Sequence, residues 1–433
     1  MKGLPYRIAA AIAAGLAIAA AASIAQGQSP QTVMVPMRDG VRLATDVYAP
    51  DGDGPWPTAL ICTPYSRKGA QGFARQALER GYALVAQDFR GRFDSEGDDY
   101  PVFLAGGWGE HQDGYDTVEW IARQEWSNGK VGGFGMSAPG IALNMMAPSR
   151  PPHLVCCYVS VAFSSMYHQA AYQGGAFRKA LLETWLTLSK FTPKNLELFR
   201  AHPDYNDFWR AFDCERVADR VNVPTMYVGG WYDIFAVGTL NSFVTVHKQG
   251  DQGARGKCRL VMEPYGHGRN EELAFPNAGH PQPADMWNWF DLWMKNDGQG
   301  LEEIPVVQYY VMGDPGDPNT PGNQWRTADD WPIPADRRKI YFHTDKRLRL
   351  GPPQDLFGSL SYKYDPKDPV PTIGGANLTI SKGPMDQRPV EGRPDVLLFD
   401  SPVFDRYIEI TGPVTVRLWA SSTAPDLSLI HIS

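Results

Sequence analysis

The sequence predicts an α/β fold: a mostly parallel sheet covered by helices, a helical cap inserted within it, and an all-β jelly-roll domain after it. Three observations carry this. Apolar strand-like runs alternate with helical periodicity as far as residue 161, and such alternation implies parallel pairing. Over residues 166–213 the alternation stops. Helical patterns rich in aromatics replace it, among them Tyr167, Tyr172, Phe177, Trp185, Phe191, Phe199, Phe208 and Trp209. Beyond Glu303, short strand candidates are separated by loops rich in Pro, Gly and Asp, with no clear helix between them.

Residues 1–25 stand apart from the fold. Lys2 and Arg7 form a basic start, residues 8–22 are almost wholly Ala, Ile, Leu and Gly, and Ser23-Ile-Ala25 offers small residues to a signal peptidase. The segment reads as a secretory signal peptide cleaved near Ala25, which implies export to the periplasm or the medium. Its apolar run of about 15 residues falls short of the about 20 that a membrane span needs.

The remaining chain, about 400 residues, is enough for two or three domains. Within residues 32–49 a strand-like alternation surrounds Arg38-Asp-Gly40, a hairpin turn signal. Residues 57–63 read as a buried strand ending at Pro64-Tyr65, 72–80 as a helix, and 82–86 as the next strand. Residues 113–124 place Tyr115, Val118, Ile121 and Ala122 on one helical face. Strands follow at 131–134 and 154–161; after the cap they resume at 224–228 and 258–262, and a Trp- and Phe-rich helix covers 285–295. The core is thus expected over 26–300, with the cap inserted at about 165–213 and the jelly roll over 301–433. Jelly-roll strands are expected at 304–312, 339–342, 360–364, 396–399 and 414–419. Residues 427–433 resemble the translation of a transposon-end sequencing adaptor and are read as non-native.

The net charge of −7, with no basic block, argues against a nucleic-acid partner. Five cysteines in so long a chain do not make a disulfide framework. Cys62 and the adjacent Cys156 and Cys157 sit in apolar runs and read as buried apolar residues; an exported protein could pair Cys214 with Cys258, and the sequence leaves this open. No HExxH and no paired CxxC occurs, so neither a metal nor another cofactor is expected.

The chemistry centres on Val131-Gly-Gly-Phe-Gly-Met-Ser137-Ala-Pro-Gly140. A short strand, a tight turn holding a Ser, and a helix form a nucleophile elbow, the signature of an α/β-hydrolase. The turn pushes the hydroxyl out at the top of the sheet, and small residues are needed where strand and helix nearly touch. Gly135 meets that need. Pro139 breaks the strict G-x-S-x-G pattern, but Pro is tolerated in the first helical turn, where its missing N–H costs nothing. A Ser hydroxyl needs a base, and the base needs a carboxylate to orient it. In this fold the order is Ser, acid, His, each after a strand. Asp233 follows the strand ending at Val228, and His267 follows the strand ending at Met262. An oxyanion requires preorganised donors. The backbone N–H of Ala138 offers one, and the Tyr65 hydroxyl, on the loop after an early strand, is the candidate for the other.

Gly-Phe-Gly-Met-Ser137, Gly-Gly-Trp-Tyr-Asp233 and Pro-Tyr-Gly-His267 together resemble the CocE/NonD hydrolases, a family with cocaine-esterase-like enzymes and cephalosporin acylases, related to Xaa-Pro dipeptidyl-peptidases. Further matches run along the chain. They include Met37-Arg-Asp-Gly-Val-Arg-Leu-Ala-Thr-Asp46, Pro64-Tyr65, Gln87-Asp-Phe-Arg-Gly91, Tyr115-Asp-Thr-Val-Glu-Trp120, Val311-Met-Gly313, Trp325-Arg with Asp330-Trp-Pro332, and Tyr364-Asp-Pro-Lys-Asp-Pro-Val-Pro371. The resemblance implies the core, cap and jelly roll already read, and it puts the family's oxyanion Tyr on Tyr65. Arg406 to Asp426 resembles an early part of the family's jelly roll, in whose members further strands follow, so this resemblance implies a truncated sandwich with exposed edges and a tendency to aggregate. Two departures stand out. Ala138 replaces the Tyr common after the nucleophile, which makes the pocket wall smaller. Ile234, Phe235 and Ala236 follow Asp233 where the α-amino-acid ester hydrolases of the family carry two acids for a substrate ammonium, so the pocket is expected to be apolar.

The expected function is an exported serine hydrolase that cleaves a small carboxylic ester, or second an amide, through an acyl-enzyme. A peptidase releasing Xaa-Pro dipeptides is the alternative enzyme, and it lacks an evident ammonium anchor. A non-catalytic secreted binding protein is the alternative from another class; three filled triad positions weigh against it.

Overall fold

The computed structural model describes residues 29–268, 274–317, 319–355 and 357–423. The signal-peptide reading of residues 1–25 and the adaptor-like residues 427–433 lie outside them. Among the described residues no helix is long and apolar enough to cross a membrane.

One ten-stranded sheet organises the described chain. Its strands are β1 (Gln31–Pro36), β2 (Arg42–Tyr48), β3 (Trp56–Thr63), β4 (Ala83–Asp88), β5 (Ser127–Met136), β6 (Leu154–Ser160), β7 (Thr225–Tyr232), β8 (Arg259–Gly266), β9 (Val307–Val311) and β10 (Gln324–Ala328). The order is β1-β2-β4-β3-β5-β6-β7-β8-β9-β10. From β4 to β9 every neighbouring pair is parallel, and antiparallel strands close both edges. The β1–β2 hairpin turns at Gly40, whose φ of 87° is a left-handed value that glycine adopts without steric cost.

Sequence explains why the central strands are parallel. All six residues of β4 are buried, as are the last six of β3. Such two-sided burial is the mark of a sheet covered on both faces. On one face α1 (Gln71–Glu79) and α7 (Met286–Phe290) pack Ala74, Ala77, Trp289 and Phe290 against Ile61, Tyr82 and Leu84. On the other lie α2 (Asp113–Ala122), α3 (Ala138–Met146) and α6 (Ala236–Gln249), with Ile121, Ile141 and Phe243 in the core.

The cap contains α4 (Lys179–Leu188) and α5 (Lys194–Ala201), with a hairpin at Tyr172–Gln173 and Ala176–Phe177. An isolated antiparallel bridge joins Ser165 to Asp213 across the insertion. Phe199, Trp209 and Phe212 are wholly buried and continue the core on the α2, α3 and α6 face of the sheet.

Two expectations change. The strand read at 304–312 joins the main sheet as β9, with β10 beyond it, rather than opening a separate β layer. Its residues Val307 to Tyr310 are buried on both faces, as an inner strand demands. Further on, the jelly roll is not laid out. Among the described residues of 339–423, regular structure amounts to one two-residue strand pair, Tyr341–Phe342 with Leu348–Arg349, the short helix Arg388–Glu391, and isolated bridges at Arg347–Asp400 and Gly375–Gly383. No ladder forms at 360–364, 396–399 or 414–419 among the described residues. In the last of these runs the apolar side chains face solvent, with Val414 77% and Trp419 96% exposed, while Phe399 of the run before it packs edge-on to Phe342 at 4.7 Å. An alternating strand is held by burial of one face against a partner sheet, and these runs have no such sheet among the described residues.

Candidate active site

The elbow forms as its residues require. β5 ends at Met136, α3 begins at Ala138, and Ser137 between them has φ 61° and ψ −126°. That left-handed φ in a non-glycine residue is strained and aims the side chain away from the chain path. A Cβ on Gly135 would lie 2.3 Å from the carbonyl carbon of Pro139, so only glycine lets strand and helix cross here. Pro139 sits in the first turn of α3.

β7 and β8 run further than the sequence reading allowed, through Gly229-Gly-Trp-Tyr232 and Glu263–Gly266. Glycine pairs look like turns; here they let two strands touch, since a Cβ on Gly230 would stand 2.2 Å from the Tyr265 carbonyl oxygen. Asp233 and His267 therefore each follow immediately on a strand end.

The structure brings Ser137, His267 and Asp233 together. The Ser137 Oγ is 2.8 Å from His267 Nε2, and His267 Nδ1 is 2.5 Å from Asp233 Oδ2. The other carboxylate oxygen, Oδ1, accepts the Phe235 backbone N–H at 2.7 Å. Asp233 is 2% exposed. An ionised carboxylate only accepts, so Nδ1 carries the proton and Nε2 is left to accept from Ser137.

Tyr65 lies two residues beyond β3, and its hydroxyl stands beside the Ser137 side chain. Burial raises its pKa above the ordinary phenol value, opposed by hydrogen bonds with Trp185 and Ser137 and by the Arg92 charge. The proton stays on the oxygen at neutral pH. Ala138 is buried at the first position of α3, where backbone N–H groups have no partner within the helix. All five site residues read from the sequence thus share one locus.

Sequence reasoning missed the wall. Phe235 stands edge-on to His267 at 5.5 Å, Phe163 edge-on to Phe235 at 5.3 Å, and Phe103 edge-on to Phe163 at 5.9 Å. Trp185 of α4 stacks on Phe103 at 5.8 Å, and its indole N–H donates to the Tyr65 oxygen at 2.7 Å. An aromatic arc therefore runs from the His to the Tyr. Its members come from distant segments, and no local pattern announces such a meeting. The cysteines take no part: all five are free and buried, including Cys214 and Cys258. Burial pushes the thiols of Cys62, Cys157 and Cys258 up to about 12.

Sheet order, elbow and strand-end placement define an α/β-hydrolase. Its family follows from comparison. The profile of the X-Pro dipeptidyl-peptidases (S15 family) matches residues 39–198 and 187–269, and that of the X-Pro dipeptidyl-peptidase C-terminal non-catalytic domain matches residues 299–431. A cocaine esterase from a Rhodococcus species is 31% identical over 465 aligned residues, covering 91% of this chain and 78% of that one. The chain belongs to this family of hydrolases, the CocE/NonD and X-Pro dipeptidyl-peptidase group. A solved α-amino acid ester hydrolase superposes with a TM-score of 0.70 at 25% identity, covering 88% of this chain and 74% of that one. The fold is also that of an aminopeptidase from a marine-sediment thaumarchaeon, with a TM-score of 0.69 at 23% identity and coverage of 88% and 74%.

Proposed function

We propose that this protein is an exported serine hydrolase that cleaves small carboxylic esters through an acyl-enzyme, with amides as poorer substrates. The carrying observation is the relay from Ser137 Oγ to His267 Nε2 at 2.8 Å and from His267 Nδ1 to Asp233 at 2.5 Å. The Ser137 oxygen attacks the substrate carbonyl as its proton passes to His267, and the carbonyl electron pair moves onto oxygen. Asp233 holds the imidazole in the needed tautomer and stabilises the imidazolium. Tyr65 O–H and Ala138 N–H donate to the oxyanion. The oxyanion collapses, the bond to the leaving oxygen breaks, and that oxygen takes the proton from His267. Water then repeats the sequence on the acyl-enzyme and frees Ser137.

Support for an ester comes from the walls. The aromatic arc offers apolar surface to an acyl or alkoxy group. Ile234, Phe235 and Ala236 supply no acid for a substrate ammonium, which an aminoacyl ester or a dipeptide would carry. Arg178 at the start of α4 is near enough for its charge to interact with Asp233, and burial lowers its pKa. Its sign repels an ammonium. The similarity to a cocaine esterase points the same way. Export rests on the sequence of residues 1–25 alone.

The test is a panel on purified protein: p-nitrophenyl acetate and butyrate, the matching anilides, and Gly-Pro p-nitroanilide. Esters should turn over fastest, and Ser137→Ala should abolish turnover. Preference for Gly-Pro p-nitroanilide would replace the esterase reading by a dipeptidyl-peptidase one. N-terminal sequencing of protein from a secreting host should begin near Gln26; an intact Met1 would remove export.

A further inference from the structure

Outside the triad, one contact joins the cap to the catalytic loop. Tyr65 and Trp185 lie 120 residues apart and meet at 2.7 Å. An indole N–H can only donate, so the Tyr65 oxygen must accept. With that side of the oxygen occupied, the phenolic hydrogen is directed away from α4, towards Ser137. Donation into a hydroxyl oxygen also polarises its O–H and strengthens its outgoing hydrogen bond.

Arg92 holds both partners. Its Nε donates to the carbonyl of Pro64, next to Tyr65, at 3.3 Å. Its two terminal nitrogens donate to the carbonyls of Lys190 at 2.6 Å and of Ser189, just past the end of α4. A cation at a helix C-terminus faces carbonyls without intrahelical partners, a favourable placement. The same guanidinium lies 4.2 Å from the Phe191 ring centroid, and Phe191 packs against Trp185 at 5.0 Å. Arg92 is 7% exposed. One buried side chain thus fixes the spacing between the loop that carries Tyr65 and the helix that carries Trp185.

We propose that Trp185 is a positioning residue that completes the oxyanion hole from the cap: its N–H occupies the Tyr65 oxygen so that the phenolic hydrogen serves the oxyanion, with Arg92 as the clamp. The proposal rests on the reading of Tyr65 as an oxyanion donor. It makes the cap part of the catalytic machinery and more than a lid.

Trp185→Phe keeps the ring packing and deletes the N–H. For p-nitrophenyl butyrate, kcat should fall about three- to tenfold, the worth of one neutral hydrogen bond, with KM little changed. Affinity for phenylboronic acid, which forms a tetrahedral adduct on the Ser, should fall by the same factor. Trp185→His returns a ring N–H and should recover part of the loss. Thermal unfolding of both variants should match the wild type. In a Tyr65→Phe background, itself down by about 10²–10³, Trp185→Phe should cost less than about twofold more. A full additional loss in that background, a change in KM alone, or no recovery in Trp185→His would overturn the role of Trp185. Activity surviving in Ser137→Ala, or an undiminished Tyr65→Phe, would instead remove the functional reading beneath it.

Discussion

Residues 31–328 and residues 329–423 use similar sequence signals and arrive at different structures. In the first region the apolar runs become ladders, the inner strands with partners on both sides, and β4 is buried throughout. In the second, equally strand-like runs at 396–399 and 414–419 form no ladder among the described residues, and Trp419 is 96% exposed. Particular ion pairs show the same contrast. Arg67, with a 5% exposed side chain, bonds Asp46 at 2.9 Å and Asp88 at 2.5 Å, residues 21 positions away on either side. In the second region Arg388 pairs with Asp386 and Arg349 with Asp345, close neighbours in sequence and exposed. Local pattern becomes stable structure only where long-range partners complete it.

The largest effect should follow from breaking the buried network. Arg67→Met leaves the buried carboxylates of Asp46 and Asp88 without their cation, which costs about 3–5 kcal/mol. Urea unfolding should show it as a lower midpoint at an unchanged slope. A shift below about 1 kcal/mol would mean that the network is no tighter than a surface pair.

Next is the elbow. Gly135→Ala places a Cβ against the Pro139 backbone and forces β5 and α3 apart. A misplacement of about 1 Å at Ser137 should lower kcat by about 10²-fold. Ester kinetics with wild-type-like circular dichroism would check this; unaltered kcat would show that the crossing has room to spare.

A smaller effect separates the regions by pH. Asp39 is held down to about 2 from the ordinary 3.8, first by its hydrogen bond with Arg90, a buried guanidinium that also pairs with Asp113. A depressed carboxylate stabilises the fold above its unfolded pKa, and the contribution is lost as pH falls from about 4 to about 2. Melting curves across that window should flatten in Asp39→Asn. Asp345 is lowered to about 2 as well, by Arg349, but that pair is exposed. In about 1 M salt, where the screening length is about 3 Å, Asp345→Asn should leave the acid limb unchanged. The smallest effect belongs to Arg388→Ala, which should not shift the melting temperature measurably.

The same contrast explains what could be read from the sequence. Ser137, Asp233, His267 and Tyr65 were legible because each follows a strand, and strand ends are written locally in apolar runs and small residues. The continuation of β7 through Gly229 and Gly230 was not, because close contact with β8 requires glycines that mimic a turn. α6 escaped because Phe235 at its start offers no capping side chain; the Asp233 carboxylate accepts the Phe235 N–H instead. Gly238 further disguises it, and a Cβ there would meet the Phe163 backbone at 2.6 Å. Trp185 was visible as a cap aromatic, but its bond to Tyr65 exists only in three dimensions. The jelly-roll strands were over-read because alternation supplies a face and says nothing of what covers it.

The central claim is that Ser137 is the nucleophile of a relay through His267 to Asp233. Its most direct measurement is reaction with a fluorophosphonate, followed by intact-mass and peptide mass spectrometry. One adduct per chain is expected on Ser137, with a matching loss of esterase activity and no adduct in Ser137→Ala. An adduct on another residue, or esterase activity that survives full modification of Ser137, would contradict it.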